Sequence, residues 1–167
     1  ERPEELAGEE VLERGEDCDD GNPENTDACT TDCRWRLQAA GGIGHSCFRK
    51  GTSLYCTGVN LKGQIGDDTT TDRRVPTRVV NASPFVDVAL LAQATCALSE
   101  TGTVECWGHC ADGVLGPNHP LEAGEGCDQK TPQSVPGVQG GTHLVAGDYF
   151  VCVRTGDGKA MCWGKNA

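Results

Sequence analysis

The chemistry this chain is best equipped to do is sulfur chemistry. It has eleven cysteines in 167 residues, and six of them fall into hairpin-spaced pairs. Cys47 and Cys56 flank Lys50-Gly51-Thr52, Cys96 and Cys106 flank Glu100-Thr101-Gly102, and Cys152 and Cys162 flank Thr155-Gly156-Asp157-Gly158. Apolar and β-prone residues around a Gly-containing turn describe a short antiparallel hairpin. Cysteines at this spacing can face each other across the two strands, close enough for a disulfide. Buried free thiols packing as small hydrophobes are the plainer alternative.

A fourth pair follows from a length difference. From Cys56 to Pro76 is 20 residues, whereas from Cys106 to Pro132 is 26. The excess lies in 109–130, which also holds Cys110 and Cys127. An inserted loop with few apolar residues needs a constraint, and a disulfide closing a loop of this size is worth about 3 kcal/mol through the unfolded state. Cys110 is therefore expected to pair with Cys127, and the stapled loop is the best candidate for a specific contact surface. A length variant without a role is the competing reading, because loops tolerate insertion. With His109 beside it, Cys110 also has the look of a Cys/His nucleophile, but a disulfide sulfur is no thiolate.

The remaining cysteines, Cys18, Cys29 and Cys33, are odd in number, so at least one lacks a partner within the chain. They sit in an acidic stretch with Asp17, Asp19, Asp20, Asn22 and Asp27, whose oxygens could hold calcium. The spacing misses the EF-hand pattern, since Gly21 stands where a ligand belongs. Asp and Asn also initiate turns without metal. Zinc at Cys29 and Cys33 with Cys18 would need a fourth ligand. Calcium is the only cofactor the sequence suggests.

The elements that position these groups repeat. The first cysteines of the hairpins are 49 and 56 apart (96 − 47, 152 − 96), and the second are 50 and 56 apart (106 − 56, 162 − 106). Each unit adds a turn-rich stretch after its second cysteine, such as Gly58 to Gly66. A Pro-initiated outer strand follows at Pro76-Thr77-Arg78 or Pro132-Gln133-Ser134. The apolar runs Phe85–Leu90 and Leu144–Gly147 then open the next unit. Four short strands per period is the content of one propeller blade.

The expected fold class is all-β. It is a partial β-propeller of two full blades and part of a third, with four-stranded antiparallel blades and a small disulfide-rich N-terminal module. The module is placed at residues 1–36 and the repeats at 37–167, divided at about 38–87, 88–143 and 144–167. Residues 1–36 carry 13 acidic and 4 basic side chains, so most of the net charge of −11 lies there.

At Gly44-His45-x-Cys47, Asn60-x-x-Gly63-Gln64-Ile65-Gly66 and the Cys-Trp-Gly triplets 106–108 and 162–164, the chain resembles the regulator of chromosome condensation repeat family. The blades are most similar to its cysteine-containing bacterial version. Thr57 stands where the family has Trp, and Ala94 and Phe150 stand where His45 would recur. The resemblance implies a propeller and a Gly-Gln-Leu-Gly-like continuation after Asn166. It leaves function open, because members include an exchange factor, a light sensor and a secreted inhibitor. The segment Cys18-Asp19-Asp20-Gly21-Asn22 with Cys29 and Cys33 resembles the cysteine-rich repeat of secreted myxobacterial proteins.

Composition narrows the rest. A net charge of −11 argues against nucleic acid as a partner. The longest apolar run, near 86–94, is too short to span a bilayer. Cysteine density fits an oxidising compartment, so a secreted or cell-surface bacterial location is expected. No Gly-x-Ser-x-Gly, His-Glu-x-x-His or paired-carboxylate constellation is present, so the chain is expected to be no enzyme. Two readings stand. One is a secreted, non-catalytic binding module for a protein or glycan, continued by further repeats. The other is a structural subunit of an extracellular assembly completed by neighbouring chains.

Overall fold

The computed structural model describes residues 39–50, 53–117 and 126–165. Their strands form three antiparallel sheets. The first contains β1 (Ala39–Gly41), β2 (His45–Lys50), β3 (Ser53–Gly58) and β4 (Arg73–Arg78) in that order. The second contains β5 (Phe85–Leu90), β6 (Ala94–Ser99), β7 (Val104–Gly108) and β8 (Gln129–Ser134). The third pairs β9 (Gly141–Ala146), β10 (Phe150–Thr155) and β11 (Ala160–Gly164). These are two four-stranded blades and a three-stranded one. The chain divides into units at Leu37 and Gln38, one residue from the expected boundary. The second and third sheets begin at Phe85 and Gly141, three residues ahead of the period-based divisions.

Register puts each hairpin's cysteines opposite each other: Cys47 with Cys56, Cys96 with Cys106, and Cys152 with Cys162. All three pairs are disulfide-bonded, with Cα atoms 4.1 Å apart, in keeping with the narrow, non-hydrogen-bonded type of antiparallel pair. Because side chains alternate along a strand, the disulfide marks one face of each sheet.

That face packs on the next blade. Cys47, Leu54, Cys56 and Ile65 share a core with Phe85, Val88, Ala97 and Trp107. Cys96, Leu98, Cys106 and Leu115 share another with Leu144, Val151, Val153 and Trp163. Each large side chain buried this way contributes on the order of 1.5–3 kcal/mol, so the blade joints, not the isolated hairpins, carry the hydrophobic core.

The outer strands correct one expectation. Pro76 and Pro132 do not start their strands; they lie within β4 and β8. Cys56 pairs with Thr77 and Gly58 with Arg73, so two residues of β3 span four of β4, and Pro76 sits in the resulting bulge. Pro132 sits in the same irregularity of β8. An edge strand leaves one row of N–H groups without ladder partners, so proline is tolerated at a bulge there.

Candidate functional site

Antiparallel order places the β1–β2, β5–β6 and β9–β10 turns at one end of the blades, together with the long β3–β4 and β7–β8 connections. Val59 N–H donates to the Gly44 carbonyl, His109 N–H to Gln93, Lys165 N–H to Tyr149, and Ala92 N–H to Asp148 in the neighbouring blade. This end carries Ile43 and Leu61, more than 70 % exposed, beside the partly exposed Val59 and Tyr149.

In the first blade the connection is organised by one buried side chain, Asn60. Its amide donates to Asp67 Oδ1 and to the Thr69 and Thr71 carbonyls, and its Oδ1 accepts from Ile65 N–H at 2.9 Å. Asn60 N–H donates to Asp72 Oδ1 at 2.8 Å. Asp67 is also ion-paired with Arg73. Burial opposes ionisation of Asp67, but hydrogen bonds from Thr69 and Arg73, with the Arg73 charge, outweigh it and hold the carboxyl below its ordinary range.

The second blade solves the same problem covalently. Cys110 follows Gly108 by two residues as Asn60 follows Gly58, and Asp128 precedes the strand partner of Gly108 as Asp72 precedes that of Gly58. Cys110 N–H donates to Asp128 Oδ1 at 3.2 Å, the counterpart of the Asn60–Asp72 bond. Where Asn60 spreads its amide through the loop, Cys110 bonds Cys127, with Cα atoms 5.7 Å apart. His109 Nδ1 lies 2.7 Å from Asp128 Oδ1, and Lys62 Nζ, from the first blade's loop, donates to Asp128 Oδ2 at 3.1 Å. Burial again opposes ionisation of Asp128; the bonds from His109, Lys62 and Cys110 N–H hold its carboxyl low. Both cysteines are 5 % exposed, so the staple is tucked beneath the loop it closes.

His45 belongs to a joint between blades. Its Nε2 lies 2.8 Å from Thr95 Oγ1, and Thr95 Oγ1 donates to the Gln64 carbonyl at 2.9 Å. With the threonine proton committed to Gln64, His45 must present an Nε2–H. Burial lowers its pKa to about 4, so the ring is neutral near pH 7. His143, partly exposed, pairs with the buried Asp87 across the next joint at 2.9 Å.

The spacing arguments did not find Asp128 or Lys62. The signal was available: superposing Gly58 on Gly108 puts Asn60 over Cys110 and Lys62 over Asp112. The calcium candidates Asp17, Asp19, Asp20, Asn22 and Asp27, with Cys18, Cys29 and Cys33, lie outside the described residues. Among the described residues no helix is long and apolar enough to cross a membrane.

Comparison with known proteins supplies the family. Residues 142–167 match the model of the regulator of chromosome condensation (RCC1) repeat. A human protein, regulator of chromosome condensation, is 33 % identical over 87 residues. The chain belongs to the RCC1 repeat family. The match covers 50 % of the chain and 21 % of the human protein, so the chain spans about a fifth of that relative. Solved RCC1-type propellers show the same fold. Human WBSCR16 superposes with a TM-score of 0.67 at 22 % identity, covering 77 % of this chain and 33 % of that one. Prp20p from Saccharomyces cerevisiae gives 0.64 at 21 %, covering 76 % and 32 %.

Proposed function

We propose that this RCC1-repeat chain is a non-catalytic binding module of an oxidising, extracytoplasmic compartment, with the loop end of its blades as the contact surface for a protein or glycan. The observation that carries the reading is the base of the inserted loop. A disulfide, a His109–Asp128 pair and a Lys62 bridge all converge there. A loop fixed at both ends to a rigid scaffold loses less entropy when it binds. Exposed Ile43 and Leu61 add apolar contact area at the same end. A protein partner is in keeping with relatives of this fold, one of which was solved as yeast RCC1 bound to Kap60. Deleting residues 118–125 while keeping Cys110 and Cys127 tests it. Glycan-array and crosslinking capture should be lost in the deletion variant with the strand spectrum unchanged; equal capture by both proteins would count against the loop.

A second element of the reading is completion by further blades, supplied by the same polypeptide or by neighbouring subunits of an assembly. Cys96 and Cys106 are fully covered by the third blade, whereas Cys152 is half-buried and Cys162 exposed. A Cβ at Gly102 would meet Gly140 Cα at 2.9 Å, but one at the equivalent Gly158 meets nothing within 4 Å. The third blade thus presents the face that the first two give to a successor. Native mass measurement without reductant separates one chain of many repeats from an assembly of copies.

A further inference from the structure

The base of the inserted loop gathers four side chains with metal-binding atoms on two short stretches, His109-Cys110 and Cys127-Asp128. Ligand atoms of His109, Cys110 and Asp128 all lie within 4.8 Å of one another, and Cys127 Sγ is bonded to Cys110. While the disulfide is intact this is no metal site, since its sulfurs are not thiolates and His109 and Asp128 satisfy each other at 2.7 Å. We infer that reduction of Cys110–Cys127 converts the staple into a four-ligand Zn²⁺-class site, formed by both thiolates, His109 Nδ1 and Asp128 Oδ1.

The donor set selects the ion. Two thiolates, an imidazole and one carboxylate oxygen suit a tetrahedral, borderline-soft cation and disfavour calcium or magnesium. Tetrahedral metal–sulfur bonds of about 2.3 Å hold two sulfurs roughly 3.8 Å apart, which needs a wider backbone separation than a cross-strand disulfide. Cys110 and Cys127 have it, with Cα atoms 5.7 Å apart against 4.1 Å in each hairpin pair. The outer shell is in place too. Lys62 Nζ holds Asp128 Oδ2, leaving Oδ1 to the ion, and Cys110 N–H also points to that oxygen. Partial exposure of His109 and Asp128, 30 % and 27 % at the side chain, gives the ion a way in. Among the described residues no other group of three such donors is brought together.

The steps balance. A dithiol reductant attacks one sulfur as thiolate, forms a mixed disulfide and is resolved by its second thiol. It ends oxidised, and Cys110 and Cys127 end as two thiols. The ion then displaces both thiol protons to solvent, while the Nδ1 proton of neutral His109 moves through water to Nε2. The oxidised chain holds its loop by a covalent bond and the reduced chain by a metal, whatever partner the loop takes.

Cobalt(II) is the probe, with a water-soluble phosphine as reductant under argon; the phosphine becomes its oxide and one water is consumed per disulfide. Thiolate-to-cobalt absorption should appear in the reduced protein and be absent from the unreduced one. Other freed cysteines contribute equally to wild type and the Cys110→Ser/Cys127→Ser variant, so their difference should equal one cobalt per chain. Asp128→Asn and His109→Gln keep the staple before reduction and should bind this cobalt about tenfold more weakly or worse. No difference between wild type and the double-serine variant would overturn the inference. So would unchanged affinity in both Asp128→Asn and His109→Gln, with circular dichroism showing each protein folded.

Discussion

Trp107 Nε1 donates to the Gln64 carbonyl at 3.0 Å, from the second blade to the loop of the first. Trp163 repeats the bond one blade later, to the Val114 carbonyl at 3.0 Å. Gly66 makes the first of these possible: at φ +79°, a Cβ there would lie 2.7 Å from Trp107 Nε1. Replacing Trp107 with Ala is expected to cost about 3–5 kcal/mol. Gly66→Ala should be destabilising on its own and non-additive with Trp107→Ala, because both act on one contact. Urea unfolding of the two single variants and the double variant measures this; full additivity would mean the contact is not shared.

Asn60 is predicted to be the first blade's counterpart of the Cys110–Cys127 staple. Asn60→Ala leaves buried donors and acceptors unpaired and should cost roughly 1–3 kcal/mol. Hydrogen exchange should rise across 61–72 and remain unchanged across 109–117. Equal protection in both loops would refute the equivalence.

Acid stability should carry the signature of His45. Its folded-state pKa of about 4 lies below the ordinary 6.5, so the unfolded chain takes up the proton first. No stability is lost above pH 6.5; it falls between 6.5 and 4, and the loss levels off below that at roughly 3 kcal/mol. Asp67 and Asp128, both held low, support the fold above the ordinary carboxylate range and withdraw that support at lower pH. His45→Gln should flatten the limb between pH 6.5 and 4. An unchanged slope in denaturant titrations would sink the assignment.

The disulfides should reduce in the order of their exposure. Cys162 is exposed and Cys152 half-buried, whereas the cysteines of the other three described pairs are 5 % exposed or less. Mild reductant followed by alkylation and peptide mapping is expected to label 152 and 162 first. Early labelling of Cys47 or Cys96 would contradict the packing of blade on blade. In a form of the protein carrying a further docked blade, the order should be lost.

Calcium at Asp17, Asp19, Asp20, Asn22 and Asp27 predicts that a chelator speeds proteolysis within 15–33 and leaves the blades uncut, because the blades have their own disulfides and cores. Identical cleavage with and without chelator points instead to Asp-rich turns held by cysteines alone.

Local repetition made the blades legible in the sequence. A hairpin's cysteines, turn and flanking apolar residues are near neighbours in the chain, so the spacing of Cys47 and Cys56 or Cys96 and Cys106 already fixes which residues face each other. The insertion could be located for the same reason, as a difference between two copies of one unit. What sequence could not decide is contact between units. Trp107 meets a carbonyl 43 residues away, His45 a hydroxyl 50 away, and Lys62 a carboxylate 66 away. Those partners are chosen by the angle at which one sheet lies on the next, and no periodicity within a unit encodes that angle. The placement of Pro76 failed for a related reason. A proline announces that an N–H is missing, but only the assembled edge, with two residues of β3 set against four of β4, shows where the missing N–H does no harm.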